Sequence, residues 1–249
     1  MSFKKILTTA ALLAATITTP AMAGDSIRIA TEGAYAPFNM VTAEGELAGF
    51  DVDIAKALCA EMKVECKIVA QDWDGIIPGL KARKYDAIIA SLSVTEERSR
   101  VVAFTDHYYS NSLGFVSAKA ADFDPKALEG KAIGAQRATI AGQYLEDNLG
   151  DKVSVKLYDT QDNAYLDLSS GRLDAILSDK LPAYNWLESE EGQAFEFRGD
   201  KIDIDDKIAI AVRKKDSELK ERFNAALKVI LENGTYEKIN AKYFPFSIY

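Results

Sequence analysis

Apolar and polar positions along this chain fall into blocks whose period switches back and forth. "SIRIAT" (26–31) has the short period of a strand. "DVDIAKALCAEM" (51–62) places Ala55, Leu58, Cys59 and Met62 at helical spacing, with Asp51 where an N-cap would stand. "CKIVA" (66–70) is again a strand, "DGIIPGLKAR" (74–83) a short helix, and "DAIIAS" (86–91) a buried strand. This βαβαβ order predicts a largely parallel sheet with helices on its faces.

The pattern restarts after residue 130. "KAIGA" (131–135), "VSVKLY" (153–158) and "LDAILSD" (173–179) read as strands, separated by the helices "TIAGQYLEDNL" (139–149) and "DNAYLDLSS" (162–170). At an offset of 88 residues, "LKARKYDAIIAS" (80–91) lies over "LSSGRLDAILSD" (168–179), matching Leu, Asp, Ala and Ile at the same place in a helix-to-strand unit. Two similar α/β lobes are therefore expected. Beyond them come a strand, "KIAIAVRK" (207–214), and an amphipathic helix at 217–233 with Leu219, Phe223, Leu227 and Ile230 on one stripe. Gly234 stands as its C′ residue, and a last helix, "TYEKINAKYF", follows. Periodicity does not say which lobe these last elements join.

The 249 residues suffice for one large domain or two small ones, and the net charge of −8 argues against nucleic-acid partners and anionic membranes. The first residues break the alternation. "MSFKK", the apolar "ILTTAALLAATITTP" and the small-x-small "AMA" (21–23) form a Sec-type signal peptide over residues 1–23, with Gly24 as the first mature residue. The apolar run is threonine-rich and shorter than the ~20 residues of a spanning helix. Export to the periplasm as an unanchored protein is expected.

Cys59 and Cys66 suit that compartment. A helix end folding back on its own following strand would bring the two sulfurs together, and an oxidising space would keep the bond; two buried free thiols are the alternative. Two cysteines and one histidine leave no zinc site.

Candidate chemistry follows from one rule: open α/β sheets bind ligands beyond the carboxyl ends of their strands. Those ends fall at Thr31–Glu32, Ala90–Ser91, Ala135–Arg137 and Ser178–Asp179. The repeat sets Ser91 and Asp179 at equivalent positions, so facing lobes would gather hydroxyls, an arginine and two carboxylates in one cleft. Each residue also has a plainer reading. Glu32 would suit a solvated loop, Thr95 a helix cap with Arg98 paired to a glutamate one turn away, and Trp73 ordinary core. Asp179 would suit an N-cap, and Arg137 an exposed loop. His107, the only histidine, reads as structural because no serine or cysteine is placed beside it for catalysis. No nucleophile elbow, zinc-protease motif, phosphate loop or dinucleotide fingerprint is present. No cofactor or metal is expected, and no enzymatic activity.

"EGAYAPF", "GFDVDIAKALC", "WDGIIPGLKARKYDAI", "ASLSVTEER" and "NGTYEKINAKYF" together resemble solute-binding protein family 3, the periplasmic polar amino-acid-binding proteins of ABC importers. In motif the chain is most similar to the lysine/arginine/ornithine- and octopine/nopaline-binding proteins. The resemblance implies a two-lobed, type II periplasmic-binding-protein fold with two crossing hinge strands. Lobe one would be 24–112 plus 210–249 and lobe two 113–209. It also implies a Cys59–Cys66 disulfide, a monomer and an inner-membrane ABC permease as partner. By the same resemblance, Arg98 would grip the ligand α-carboxylate, shared with Thr139 and nearby backbone N–H groups. Ser91, Ser93 and Asp179 would hold the α-ammonium. Tyr35 and Trp73 would sandwich the aliphatic side chain, and Glu32 would meet a distal cation.

Three departures qualify the ligand. Ala90 stands where basic amino-acid binders often carry a further serine. Arg137 lies beside the carboxylate loop, where it would meet a second ligand carboxylate or point outward. "DKIDIDDKIAIAVRK" lacks the glycine-rich stretch common before the returning strand. The ligand expected is arginine, ornithine or lysine. An opine or neutral polar amino acid is the second reading, and a cyclohexadienyl dehydratase-like enzyme with Glu32 as general acid is a distant third.

Overall fold

The computed structural model describes residues 26–249; the expected signal peptide and the start of the mature chain lie outside the described residues. The chain runs β1 (Ser26–Thr31), β2 (Ala34–Tyr35), β3 (Asn39–Val41), β4 (Leu47–Ala48), α1 (Phe50–Met62), β5 (Glu65–Ala70), α2 (Trp73–Lys81), β6 (Ala87–Ile88), α3 (Glu96–Val101) and the long β7 (Val102–Ala118). It continues through β8 (Ala132–Gln136), α4 (Ile140–Leu149), β9 (Ser154–Tyr158), α5 (Gln161–Ser169), β10 (Ala175–Asp179) and α6 (Lys180–Leu187). A 3-10 turn (Glu191–Ala194) then leads into the equally long β11 (Phe195–Arg213), followed by α7 (Ser217–Glu232) and α8 (Thr235–Tyr243).

The strands join in the order β5-β1-β6-β11-β7-β10-β8-β9. β5, β1 and β6 are parallel, as are β10, β8 and β9, so each half carries the parallel triplet read from its alternating pattern. The offset of 88 pairs β6 with β10, the two strands that lie next to the long connecting strands. β7 and β11 run antiparallel to each other through both halves, from Val102 beside Arg213 to Ala118 beside Phe195. Their register shifts repeatedly between Arg198 and Ala211, where the chain passes from one half to the other. A small antiparallel sheet, β2-β3-β4, folds over the first half.

The buried apolar side chains divide with the strands. In the first half, α1, α7 and α8 cover one face of the sheet around Phe50, whose ring meets those of Phe38, Tyr109, Tyr236 and Phe244. Trp73, Ile76 and Leu80 of α2 cover the other face. Complete burial of a ring such as Phe50 contributes about 1.5–3 kcal/mol. The C-terminal helices thus return to the first half: Phe223, Leu227 and Ile230 from the predicted stripe are buried in the α1 cluster, with Leu219 packed at its edge. In the second half, Leu113, Ile133, Leu145 and Leu177 form one cluster and Tyr165, Leu168 and Ile176 another.

Three local expectations need correction. Asp51 does not cap α1. The N-cap is Gly49 at φ +124°, where a Cβ would come within 2.3 Å of the Phe38 carbonyl oxygen, so glycine is required and the helix begins one residue earlier. Asp51 instead lies fully buried inside the first turn. The strand expected at 86–91 is paired as a strand only over Ala87–Ile88 and ends at Ser91, whose backbone is left-handed at φ +52°. β7 and the first part of β11 were absent from the periodic reading altogether. The cysteines meet as the fold-back argument requires: Cys59 at the end of α1 and Cys66 on β5 form a disulfide with 6.1 Å between Cα atoms. His107 stacks on Tyr249 at 5.4 Å, which fits its structural reading.

Candidate functional site

All eight residues predicted for the site line one narrow, nearly closed cleft between the halves. Gln136, Ala90 and Ile140 complete its wall.

The first half supplies acceptors and rings. β1 ends one residue before Glu32, which is buried and accepts a 2.7 Å hydrogen bond from Gln136 Nε2 of the other half. Burial pushes the Glu32 carboxyl up to about 7; the Gln136 bond opposes this, while Asp162, Asp72 and Asp74 add to it. Tyr35, held on β2, reaches across and donates from its hydroxyl to Asp179 Oδ2 at 2.7 Å. Trp73 opens α2 and lies under the Arg98 guanidinium, 5.4 Å from ring centroid to Cζ.

After β6 the chain turns sharply at Ser91, whose hydroxyl donates to Asp51 Oδ2 at 3.0 Å. Asp51 also accepts from Asn39 Nδ2 at 2.9 Å and from the Tyr108 hydroxyl at 2.6 Å. Burial raises its carboxyl to about 6 against those hydrogen bonds. Asp51 therefore braces the floor of the cleft from behind, and Ser91 presents only its remaining lone pairs forward. Thr95 caps α3, accepting from the Arg98 backbone N–H at 3.1 Å. The cap aims Arg98 into the cleft: Nη1 donates to the Ser93 carbonyl at 2.9 Å and Nη2 to the Ala138 carbonyl of the opposite half at 2.8 Å. Burial lowers the Arg98 guanidinium from its ordinary value, against the pull of Asp206, Asp179 and Glu97.

The second half adds a helix N-terminus. Thr139 is the N-cap of α4, accepting from Gly142 N at 3.1 Å and donating to the Gln136 carbonyl at 2.7 Å. Its hydroxyl is already spoken for in both directions. What this helix offers the cleft is the first-turn N–H groups, which lack intrahelical acceptors. Asp179 stands at the N-cap position of α6 but makes no capping bond; its carboxylate turns into the cleft instead. Burial, then repulsion from Asp206, raises its carboxyl well above the usual range.

Arg137 lies at the mouth and turns away from these groups. It pairs with Asp74 of α2 at 2.7 Å and with Asp159, tying the two halves together from outside. Two residues of the site were missed from sequence: Gln136, which lines the cleft, and Asp206, which does not line it but acts by its charge on Arg98 and Asp179. The strand-end rule reaches Gln136, the last residue of β8. Nothing local marks Asp206 within the run "DIDD".

A closed cleft between two α/β halves, joined by paired long strands and lined with charges of both signs, defines a binding protein for a small zwitterion. A family model for bacterial extracellular solute-binding proteins, family 3, matches residues 27–246, and the chain belongs to that family. It is 43% identical over 255 residues to the L-arginine-binding protein of Pseudomonas aeruginosa, covering 99% of this chain and 98% of the relative. The lysine/arginine/ornithine-binding periplasmic protein of Escherichia coli is 39% identical over 233 residues, 90% of each chain. An ancestral arginine-binding protein solved with arginine superposes with a TM-score of 0.83 at 34% identity, over 88% of this chain and 98% of that one.

Proposed function

We propose that this chain is the periplasmic substrate-binding component of an ABC importer and that it captures arginine, ornithine or lysine. The observation that carries the reading is the charge layout of the cleft. Two buried carboxylates, Glu32 and Asp179, flank one guanidinium, Arg98. A cationic amino acid is the complement: two cations and one carboxylate. The names of the two relatives above support the same ligand set.

In this reading the Arg98 fork and the first N–H groups of α4 hold the α-carboxylate. Asp179, with Ser91 and Ser93, holds the α-ammonium. Tyr35 and Trp73 pack the methylene stem, and Glu32 takes the distal cation. Charge-assisted hydrogen bonds contribute roughly 1.5–3 kcal/mol each. A few of them reach the roughly −8 kcal/mol of micromolar binding after ordering costs. Residues 24–112 with 210–249, and residues 113–209, are the two lobes that close on the ligand; the buried clusters divide close to these limits, with Ile208 and Leu181 packing on the first-lobe side. Residues 1–23 act as the signal peptide, the protein works as a monomer, and its partner is an inner-membrane permease complex. Arg137 is engaged by two aspartates, so a second ligand carboxylate, as an opine would bring, has no free cation there.

Thermal denaturation of ligand-stripped protein tests the reading. L-arginine, L-ornithine or L-lysine should raise the midpoint by several degrees. A shift with octopine or glutamine but with none of these three would overturn the ligand set.

A further inference from the structure

The hinge carries a second carboxylate that none of these roles uses. Asp206 lies on β11 opposite Asn111 of β7, and Asp179 lies on β10 opposite Leu113 of the same strand. Residues 111 and 113 share one face of β7, and cross-strand partners share a face, so β7 brings both aspartates to that face from its two sides. Both are buried, Asp206 at 3% and Asp179 at 7% exposure. Asn111 Nδ2 donates to Asp206 Oδ2 at 3.3 Å, and Tyr35 donates to Asp179 Oδ2. Three buried acceptors of this cluster have no donor: Oδ1 of Asp179, Oδ1 of Asp206 and Oδ1 of Asn111.

The neighbouring charges do not balance the pair. Arg98 from α3 is the cation that acts on both carboxylates. Lys207 acts on Asp206 but also pairs with Asp205 at 3.2 Å and donates to Ser110 Oγ. Lys180 lies over the Phe197 ring. The phenols of Tyr35, Tyr109 and Tyr165 face the cluster and are held neutral by burial, and Asp51 on α1 adds a further negative charge behind Tyr109. Two buried carboxylates sharing one guanidinium resist being ionised together. A proton on either one turns an acceptor into a donor and serves an orphaned oxygen.

We propose that Asp179 and Asp206 form a carboxylate pair that keeps one proton while the cleft is empty and releases it to solvent when the ligand ammonium docks on Asp179. The inference rests on the amino-acid reading above, because it needs an α-ammonium at Asp179. The exchange balances: a carboxylic acid and an ammonium become a carboxylate–ammonium pair and one free proton. The bound pair has the lower proton affinity, so capture strengthens as pH rises. Below the pKa of the empty pair, affinity climbs about tenfold per pH unit, and above it levels off.

Glu32 is a second proton source, since it too is buried and would be deprotonated by a distal cation. Infrared difference spectroscopy with protein carrying carboxyl-¹³C aspartate separates the two. Adding L-arginine near pH 6 should remove a ¹³C-shifted carboxylic-acid band, and Asp206→Asn should abolish that loss. Removal of an unshifted band alone, or of none, would overturn the pair. Titration calorimetry of the wild type in phosphate and in imidazole supplies a measurement free of any variant. The buffer-dependent heat should show about one proton or more released per arginine near pH 6, falling several-fold by pH 8. Binding without proton release overturns this inference alone; no binding of arginine, ornithine or lysine overturns the ligand reading and the pair with it.

Discussion

Arg98→Lys separates the charge of this side chain from its shape. The guanidinium bridges the halves, with one nitrogen on the Ser93 carbonyl at 2.9 Å and the other on the Ala138 carbonyl at 2.8 Å, while its Cζ lies over the Trp73 ring at 5.4 Å from the centroid. A planar fork fits a carboxylate with two parallel bonds; an ammonium is a compact point charge that does not. Lysine keeps the Coulomb attraction and loses one charge-assisted hydrogen bond, worth ~1.5–3 kcal/mol. That is roughly 10- to 150-fold in Kd. Arg98→Ala removes the countercharge as well, so about 3–6 kcal/mol is lost and a micromolar site weakens to about 0.2 mM or worse. The helix itself should persist, because its cap uses the backbone N–H of residue 98, which both variants retain, whereas Arg98→Ala also takes away the cation shared by Asp179 and Asp206 and should lower stability. Titration calorimetry with L-arginine reads the effect and urea midpoints control for folding. A folded Arg98→Lys protein that binds within threefold of wild type would refute the carboxylate assignment.

The remaining expectations rest on separate features. Glu32→Gln should weaken L-arginine about 10- to 100-fold while leaving L-glutamine within a few-fold; equal losses for both would refute the distal-cation role. Arg137→Ala breaks an ion pair whose partners are 41% and 50% exposed. Surface pairs of this kind contribute about 0–1 kcal/mol, so arginine dissociation should accelerate no more than about fivefold by stopped-flow fluorescence; a hundredfold change would place Arg137 on the ligand. Opening the Cys59–Cys66 bond by double serine substitution should cost about 2.5 kcal/mol in urea, from the entropy of so short a loop, and an unchanged midpoint would refute that account. Asp51 titrates at about 6 in the fold instead of 3.8, so the folded state holds its proton more tightly than the unfolded chain. Its contribution favours folding below pH 3.8 and is lost, by ~3 kcal/mol, as pH rises through 6. The stability difference between wild type and Asp51→Asn should therefore change by about 2.4 kcal/mol between pH 4 and pH 7, and a constant difference would be the refuting result.

Much of this architecture is written in local periodicity. The two parallel triplets, the equivalence of β6 and β10, and the cap at Thr95 need only neighbouring residues to be seen. β7 escapes because it is half polar: Thr105, Asp106, His107, Ser110, Asn111 and Ser112 interrupt both the strand and the helix period. A strand that passes between two bodies has no single core to face, so its pattern carries no single period. Asp51 was misread for a related reason. An acidic residue before an apolar run looks like a cap, but only Gly49 tolerates the backbone that starts this helix. Asp206 and Gln136 acquire meaning from partners 95 and 104 residues away, Asn111 and Glu32, and no local pattern records such a pairing.

Those distant pairings bear on selectivity. In the closed cleft the polar groups of one half are served by the other: Gln136 donates to Glu32, Tyr35 to Asp179, and Arg98 to the Ala138 carbonyl. A ligand gains only what it adds beyond these bonds. At Glu32 the resident donor is a neutral amide. A ligand ending in an amide exchanges one neutral donor for another, and such exchanges come close to zero net. A guanidinium or ammonium brings a full charge to a buried carboxylate, strengthens the bond and favours its ionised form. The cross-cleft amide thus acts as an internal competitor that neutral side chains match and cationic ones exceed. In the distal role proposed for Glu32, preference for a cationic amino acid would follow from its pairing with Gln136, and not from the carboxylate alone.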